Sequence, residues 1–150
     1  MRTTGAFLVA AALGIAAPAN AQTNGFVPCD EHWSARLTTL YVGADGEGIR
    51  SFYEGAVTLL RIDTEEPAAA SSGVIVMIWT GSELSDIQRH CWVNWGHGLV
   101  QVDDTQSSYD PAEGLTLTIP TSRYDDMGES SVGSIRFRLN ASTGALTELE

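Results

Sequence analysis

The side chains best suited to chemistry concentrate in the stretch from Arg89 to Gly98. It contains two of the four Trp residues, two of the three His residues and one of the two Cys residues of the chain. Imidazoles can bind metals or transfer protons, and indoles can stack on a sugar ring or anchor a protein partner. This stretch is therefore the first place to look for a functional site.

The two cysteines, Cys29 and Cys91, lie far apart in the sequence. In an exported chain an even number of cysteines is typical of disulfides, and two cysteines allow a single pairing. A reactive thiol pair would instead favour close spacing, as in C-x-x-C. We therefore predict a structural Cys29–Cys91 disulfide that contributes about 3–5 kcal/mol to stability. It would bring the residues that follow Cys29 near those that flank Cys91.

One hypothesis for these residues is a zinc or copper site, formed by His32, His90 and His97. A carboxylate such as Asp30 would complete it. The spacing argues against this site, because the sequence contains neither H-x-H nor H-E-x-x-H. In a strand His90 points away from Cys91, whereas His97 shares the direction of Cys91 unless its flanking glycines reset the alternation. We therefore predict no metal and no cofactor.

A second hypothesis is a ligand-binding face. By strand alternation Trp95 shares a face with Cys91 and is expected in the core. Trp92 shares the other face with His90 and Asn94, and it is expected at the surface, where it could stack on a sugar or grip a peptide. The predicted binding residues are Trp92, Asn94, His90, Trp33 and His32.

Other patterns that would indicate catalysis or ion binding are missing or weak. No P-loop, dinucleotide fingerprint or nucleophile elbow occurs, and the acidic clusters do not match a calcium-binding loop. We predict no catalytic residues. Arg136 and Arg138 share one outward face that could hold an anion. Cross-strand pairing with Glu148 and Glu150 is the simpler explanation for this pair.

Residues 1–21 have the three parts of a secretory signal peptide, namely Arg2, an apolar run and an A-x-A site that ends at Ala21. The run is shorter than the roughly 20 residues of a membrane-spanning helix. We predict cleavage after Ala21 and one periplasmic or extracellular domain over residues 22–150. The net charge of −11 would repel nucleic acid and anionic lipid. We expect a monomer with no nucleic-acid partner and no membrane span.

The rest of the chain has the two-residue period of strands. About eight short strands separated by turns predict a single antiparallel all-β domain, a small barrel or a two-sheet sandwich, mostly a meander. The apolar stretch Gly73–Trp79 is predicted to lie in the middle, covered on both faces. Gly96–Gly98 is predicted to be a hairpin loop, and 105–113 a polar loop. The predicted strands are 36–42, 51–63 with a bulge at Gly55, 73–79, 89–95, 99–103, 115–119, 135–139 and 145–149.

The last two strands allow a prediction of register. A three-residue loop, Ser142–Gly144, would place Gly144 at the left-handed position that such loops need. Phe137 would then face Leu149, and Arg138 would face Glu148. A four-residue loop would set Phe137 against Glu148 and mix apolar with charged partners, which makes it the less favourable register.

These features predict a secreted or periplasmic, non-enzymatic binding module that recognises a protein or a glycan through Trp92 and its neighbours, for example as a hydrolase inhibitor. One alternative is a structural or surface-assembly protein that pairs through strand edges. The other is a small metal- or carboxylate-dependent hydrolase built around His32, His90 and Asp30.

Overall fold

The structure is a computed structural model of the chain, and it forms two antiparallel β-sheets packed face to face. The predicted all-β class is confirmed, and the sheets form a sandwich rather than a closed barrel. The predicted signal peptide and Trp33 lie outside the described residues. The structure describes residues 25–32, 34–37, 39–40, 46–64, 70–81, 83, 85–124 and 130–150.

The first sheet has the strand order β1-β6-β5-β4-β2, with β3 also paired to β4. A short helix, α1 (Ser34–Leu37), precedes β2. The strands are β1 (Val27–Pro28), β2 (Thr39–Leu40), β3 (Ile49–Phe52), β4 (Val57–Asp63), β5 (Ser72–Thr80) and β6 (Gln88–His97).

The second sheet has the order β11-β10-β9-β7, with β8 also paired to β9. Its two long strands, β9 and β10, pair along most of their length and form the centre of the sheet. The strands are β7 (Leu99–Val100), β8 (Gln106–Asp110), β9 (Gly114–Tyr124), β10 (Ser130–Asn140) and β11 (Ala145–Glu148).

The main core lies between the two sheets. β5 contributes Val74, Val76 and Ile78, each fully buried, and β10 contributes Phe137 and Leu139 from the opposite side. Burying an aliphatic or aromatic side chain of this size contributes roughly 1.5–3 kcal/mol. The strict alternation on each strand therefore decides which face of each sheet turns inward.

A second, smaller cluster covers the other face of the first sheet. It contains Ile62, Val93 and Trp95, with Val27 and Ile75 packed against it. β5 consequently has apolar contacts on both faces and pairs with β4 and β6 on its two edges. This confirms the prediction that the uniformly apolar stretch is a central strand, but its cover is incomplete at the end, where Trp79 is 43% exposed.

The predicted long strand 51–63 is wrong, because the chain reverses within it. Tyr53, Glu54 and Gly55 all adopt positive φ angles, of 50°, 54° and 95°. Phe52 then pairs with Val57, so that β3 and β4 form a hairpin in place of one bulged strand. Only Gly55 is a turn-forming residue here, and the positive φ values of two non-glycine residues could not be read from the sequence.

Three further expectations about local structure are corrected. Gly96–Gly98 is not a hairpin loop, because β7 leaves the first sheet and pairs with β9 of the second. The polar stretch 105–113 contains β8, an exposed edge strand. The predicted strand 36–42 begins with the end of α1, and only Thr39–Leu40 is a strand among its described residues. β8 is exposed at all five positions and therefore lacks the apolar alternation by which strands are recognised.

The predicted register of the C-terminal hairpin is also wrong. Phe137 pairs with Glu148, and Asn140 pairs with Ala145 across a four-residue loop. Asn140 stabilises this loop, because its Oδ1 accepts hydrogen bonds from the backbone N–H groups of Ser142, at 3.0 Å, and Thr143, at 3.2 Å. The backbone N–H of Gly144 donates to the carbonyl oxygen of Asn140 at 2.8 Å.

A distant segment removes the disadvantage of placing Phe137 beside a carboxylate. The ring of Phe26 packs edge-on against Phe137, with centroids 4.8 Å apart, and the backbone N–H of Phe26 donates to Oε1 of Glu148. The aromatic ring therefore has an apolar partner and the carboxylate has a hydrogen-bond donor. Arg138 binds Glu113 instead of Glu148, with Nη2 and Oε2 2.6 Å apart.

Candidate functional site

The predicted disulfide is present between Cys29 and Cys91, whose Cα atoms are 5.4 Å apart. The backbone N–H of Cys29 also donates to the carbonyl oxygen of Cys91 at 3.1 Å. The bridge thus continues the pairing of β1 with β6 and ties the N-terminal segment to the first sheet. Its role in this structure is to hold that segment in place.

The histidines near the bridge make local hydrogen bonds. Nδ1 of His32 lies 2.6 Å from Oγ of Ser34, the buried first residue of α1. His90 lies on the face of β6 away from Cys91, because successive strand residues point to opposite faces. Its Nε2 is 3.3 Å from Oγ1 of Thr80. Among the described residues, no group of three or more His, Cys, Asp or Glu side chains could hold a metal ion.

The alternation predicted for the tryptophans is observed, but the face that carries Trp92 is covered. Trp95 is buried over Gly73 in the smaller cluster. Trp92 is half-buried and packs against the main core, and its Nε1–H donates to the carbonyl oxygen of Gly144 at 3.4 Å. Asn94, on the same face, is 1% exposed. The binding roles of Trp92, Asn94, His90, Trp33 and His32 stay predictions.

A polar pocket of about 330 Å³ opens where β6 ends beside the second sheet. Its wall includes Asn94 and His97 of β6, residues 121–123 of β9, residues 131–136 of β10 and Glu148. Beyond residue 136, toward the start of β10, that strand pairs only with β9 among the described strands. The pocket therefore lies along a free strand edge, between the two sheets.

His97 lies in this pocket because Gly96, with a φ of 102°, interrupts the strand alternation. The imidazole Nε2 lies 2.6 Å from Oδ1 of Asn94. Since an amide oxygen only accepts, Nε2–H donates in this arrangement and Nδ1 is left as an acceptor. Burial lowers the pKa of His97, and the nearby Arg123 guanidinium lowers it further. His97 is therefore neutral at neutral pH.

A second candidate site is a pair of exposed tyrosines, Tyr53 and Tyr109. Tyr53 is 44% exposed and Tyr109 is 62% exposed, and their ring centroids are 5.9 Å apart in an edge-to-face arrangement. Tyr53 belongs to the β3–β4 turn, and Tyr109 belongs to the edge strand β8. The pair therefore joins the two sheets at their surface.

Grooves flank this pair on both sides, and together with Tyr53 and Tyr109 we call them the aromatic surface. The first groove, of about 310 Å³, is also lined by Phe52, Ser107, Ser108 and Leu115. The second, of about 220 Å³, is also lined by residues 111–115 and 139–142. Partial loss of water and the neighbouring Tyr109 phenol raise the pKa of Tyr53. Tyr53 thus stays a neutral phenol that can donate a hydrogen bond.

Sequence reasoning missed both the aromatic surface and the pocket. Tyr53 and Tyr109 are far apart in sequence, and the sequence pattern predicts neither the β3–β4 turn nor the edge strand β8 to which they belong. A Tyr-Glu-Gly turn next to an alternating strand is the only local signal for Tyr53. For the pocket, the signal in the sequence is the pair of glycines that flank His97, because they can change the face of the strand to which its side chain points.

Comparison of the chain with protein-family models, with curated proteins and with solved structures finds no match. Within the described part of the chain, no helix is both long enough and apolar enough to cross a membrane.

Proposed function

We propose that this chain is an exported, non-enzymatic binding module that recognises a glycan through the aromatic surface. The observation that carries the proposal is the exposed Tyr53–Tyr109 pair, set between two grooves. Large aromatic side chains normally withdraw from water, so two adjacent exposed rings indicate a contact surface. The function is the one predicted from the sequence, but the surface proposed for it differs from the Trp92 face.

The backbone around Tyr53 supports this proposal. Tyr53 and Glu54 both have left-handed φ angles, which are unfavourable for residues with side chains. The turn presents the Tyr53 ring toward Tyr109 rather than toward the core. Such local strain concentrates at binding and catalytic sites, where it fixes a side chain that function requires.

The chemistry of the grooves favours a glycan over a peptide. Ser107 and Ser108 line the first groove, and Asn140, Ser142 and Glu113 line the second, where Glu113 is also paired with Arg138. Sugar rings combine C–H faces that stack on aromatic rings with hydroxyls that need hydrogen-bond partners. An extended peptide would depend more on unpaired strand edges and apolar pockets.

The test is retention of the purified exported protein on a panel of immobilised polysaccharides, followed by titration of the best soluble fragment. Tyr109→Ala is expected to weaken binding about tenfold, because one aromatic contact is worth about 0.5–1.5 kcal/mol beyond its area. Trp79→Ala is the matched control, since Trp79 is 43% exposed and lines neither groove. It is expected to bind like the parent protein.

Two results would refute the proposal. No retention on any polysaccharide would exclude a glycan partner of the kinds tested. Loss of binding in Trp92→Ala but not in Tyr109→Ala, with both variants folded, would return the binding surface to the face predicted from the sequence.

One observation favours the alternative of a surface-assembly protein. Residues 130–135 of β10 pair on one side only among the described strands, and Val132 on this edge is 85% exposed. Free strand edges can pair between chains. Size-exclusion chromatography with light scattering separates the two functions, because a monomer at high concentration argues against assembly.

A further inference from the structure

The polar pocket between β6 and β10 differs from the aromatic surface in its chemistry. The residues that line the pocket include a neutral imidazole, two arginines and several hydroxyl-bearing residues, and Ile135 is one of the few apolar residues. A volume of about 330 Å³ lies at the lower end of the range for small-molecule sites. The pocket is therefore large enough for one small, polar ligand.

Positive charge is concentrated at this pocket, although the chain as a whole is acidic. Arg123 and Arg136 are two of only eight basic residues of the Lys and Arg type, in a chain of net charge −11. Neither forms an ion pair with a carboxylate in the described part of the chain, whereas Arg61 and Arg138 do. Arg123 is exposed and lines the pocket, and its charge lies close enough to His97 to lower the pKa of that imidazole.

The one described carboxylate of the wall, that of Glu148, already has a partner. It accepts a hydrogen bond from the backbone N–H of Phe26. Among the described residues of the wall, this leaves the guanidinium groups as the main charged groups available to a ligand. Guanidinium groups bind carboxylates by paired, charge-assisted hydrogen bonds.

Hydroxyl groups provide the rest of the polar wall. Thr121 and Ser122 of β9 and Ser131 and Ser134 of β10 line it. By strand alternation Thr121 and Ser131 lie on the inner face, where the Ser131 hydroxyl donates to the carbonyl oxygen of Arg123 at 3.3 Å and keeps its oxygen free to accept. Nδ1 of His97 adds an acceptor, since Nε2 is bound to Asn94. Such a set complements a ligand that has several hydroxyls of its own, each able to donate and to accept.

We propose that this pocket binds a small hydroxylated carboxylate of the sugar-acid class, with Arg123 as the main carboxylate-binding residue. The site is distinct from the aromatic surface, and it does not depend on the function proposed for that surface. Arg136, on the outer face of β10, adds positive charge at the rim, and the hydroxyls of Thr121 and Ser131 bind the hydroxyls of the ligand.

The experiment is calorimetric titration of the full exported protein with glucuronate, with glucose and with inorganic phosphate. Glucuronate is expected to bind saturably and at least about tenfold more tightly than either comparator, because glucose lacks the charge and phosphate lacks the ring hydroxyls. Arg123→Gln is expected to weaken glucuronate binding at least about tenfold. Arg89→Gln, an exposed position on β6 outside the pocket, is the matched control and is expected to bind normally.

Several outcomes would overturn the proposal. These are no glucuronate binding by the parent protein, equal binding of glucose, equal binding of phosphate, or unchanged binding by Arg123→Gln. Thermal unfolding of each variant shows whether it is folded. If Arg123→Gln is unfolded, Arg123→Lys replaces it. Tyr109→Ala is expected to keep full glucuronate affinity. The glycan proposal for the aromatic surface and the sugar-acid proposal for the pocket can therefore be refuted independently of each other.

Discussion

The two sheets of this sandwich are covered differently. β5 of the first sheet packs Val76 into the main core and Ile75 into the smaller cluster, which the N-terminal segment helps to cover. β10 of the second sheet buries Phe137 on its inner face and carries exposed Arg136 on its outer face. The first sheet therefore has apolar contacts on both faces, whereas the second buries its residues mainly on the inner face that meets the first sheet. The N-terminal segment contacts both sheets, through Val27 and Cys29 on the first and through Phe26 on the second.

This difference explains where the candidate sites lie. Around Cys91 the loop at Gly144 packs on the face that carries His90 and Trp92, although the sequence concentrates its imidazoles and indoles there. The aromatic surface and the polar pocket both lie where the second sheet meets the ends of the first, at Tyr109 and at Arg123 respectively. The two candidate sites thus lie at the edges of the sandwich rather than around the stretch with the most His and Trp residues.

The largest effect is expected in the contact between the sheets. Phe137→Ala is expected to lower the free energy of unfolding by about 3–5 kcal/mol, because it removes a fully buried ring that also packs against Phe26. Urea denaturation measures it. Val132→Ala on the same strand is the control, with a change of at most about 0.5 kcal/mol expected at this exposed position. Similar losses in both variants would contradict the assigned core.

Removal of the bridge is expected to have a somewhat smaller effect, confined at first to the first sheet. The Cys29→Ser, Cys91→Ser double variant should lose about 2–5 kcal/mol of stability. Hydrogen exchange should show β1 and its neighbours losing protection before β9 and β10. Two free thiols titrated in the native, unreduced parent protein would contradict the bridge, and uniform loss of protection would contradict the difference between the sheets.

Gly144→Ala tests the close contact between the C-terminal hairpin and the first sheet. Gly144 has a φ of 72°, and an added Cβ would lie 2.2 Å from the His90 ring. We expect a loss of about 1–3 kcal/mol, measured by thermal unfolding, from backbone strain and overlap together. Gly46→Ala separates the two causes, since Gly46 has a φ of 82° but no atom of the described residues within 4 Å of an added Cβ. An equal loss in both variants would show that the contact with His90 contributes nothing.

The smallest effect concerns pH. Because burial and Arg123 lower the pKa of His97 below its ordinary value of 6.5, the unfolded chain takes up a proton at this group at a higher pH than the folded protein. Stability should therefore fall as the pH drops below 6.5 toward the folded-state pKa, and this group should have no effect above that range.

The measurement is the free energy of unfolding across this pH range in the parent protein and in His97→Gln. The variant should have a shallower decline toward low pH. Trp79→Ala, which leaves every titratable group in place, should keep the decline of the parent protein. An unchanged decline in His97→Gln would show that His97 is not the group responsible.

Several features of this protein follow from the sequence alone. The two-residue period predicts an all-β domain, and the uniformly apolar stretch Gly73–Trp79 predicts a central strand, because only a strand covered on both faces needs apolar residues at every position. The pairing of Cys29 with Cys91 follows from there being no other cysteine. Alternation also assigns Trp92 and Trp95 correctly to opposite faces of β6.

The tertiary structure alone decides what covers each face and which strands meet. Alternation shows that Trp92 shares a face with His90, but not that the Gly144 loop of the other sheet lies against that face. The hairpin register was predicted from residues 136–150 alone, whereas Phe26 supplies both the ring that packs on Phe137 and the N–H that binds Glu148. Contacts between residues so distant in sequence leave no local periodicity, and for that reason they decide the sites while the sequence pattern decides the fold class.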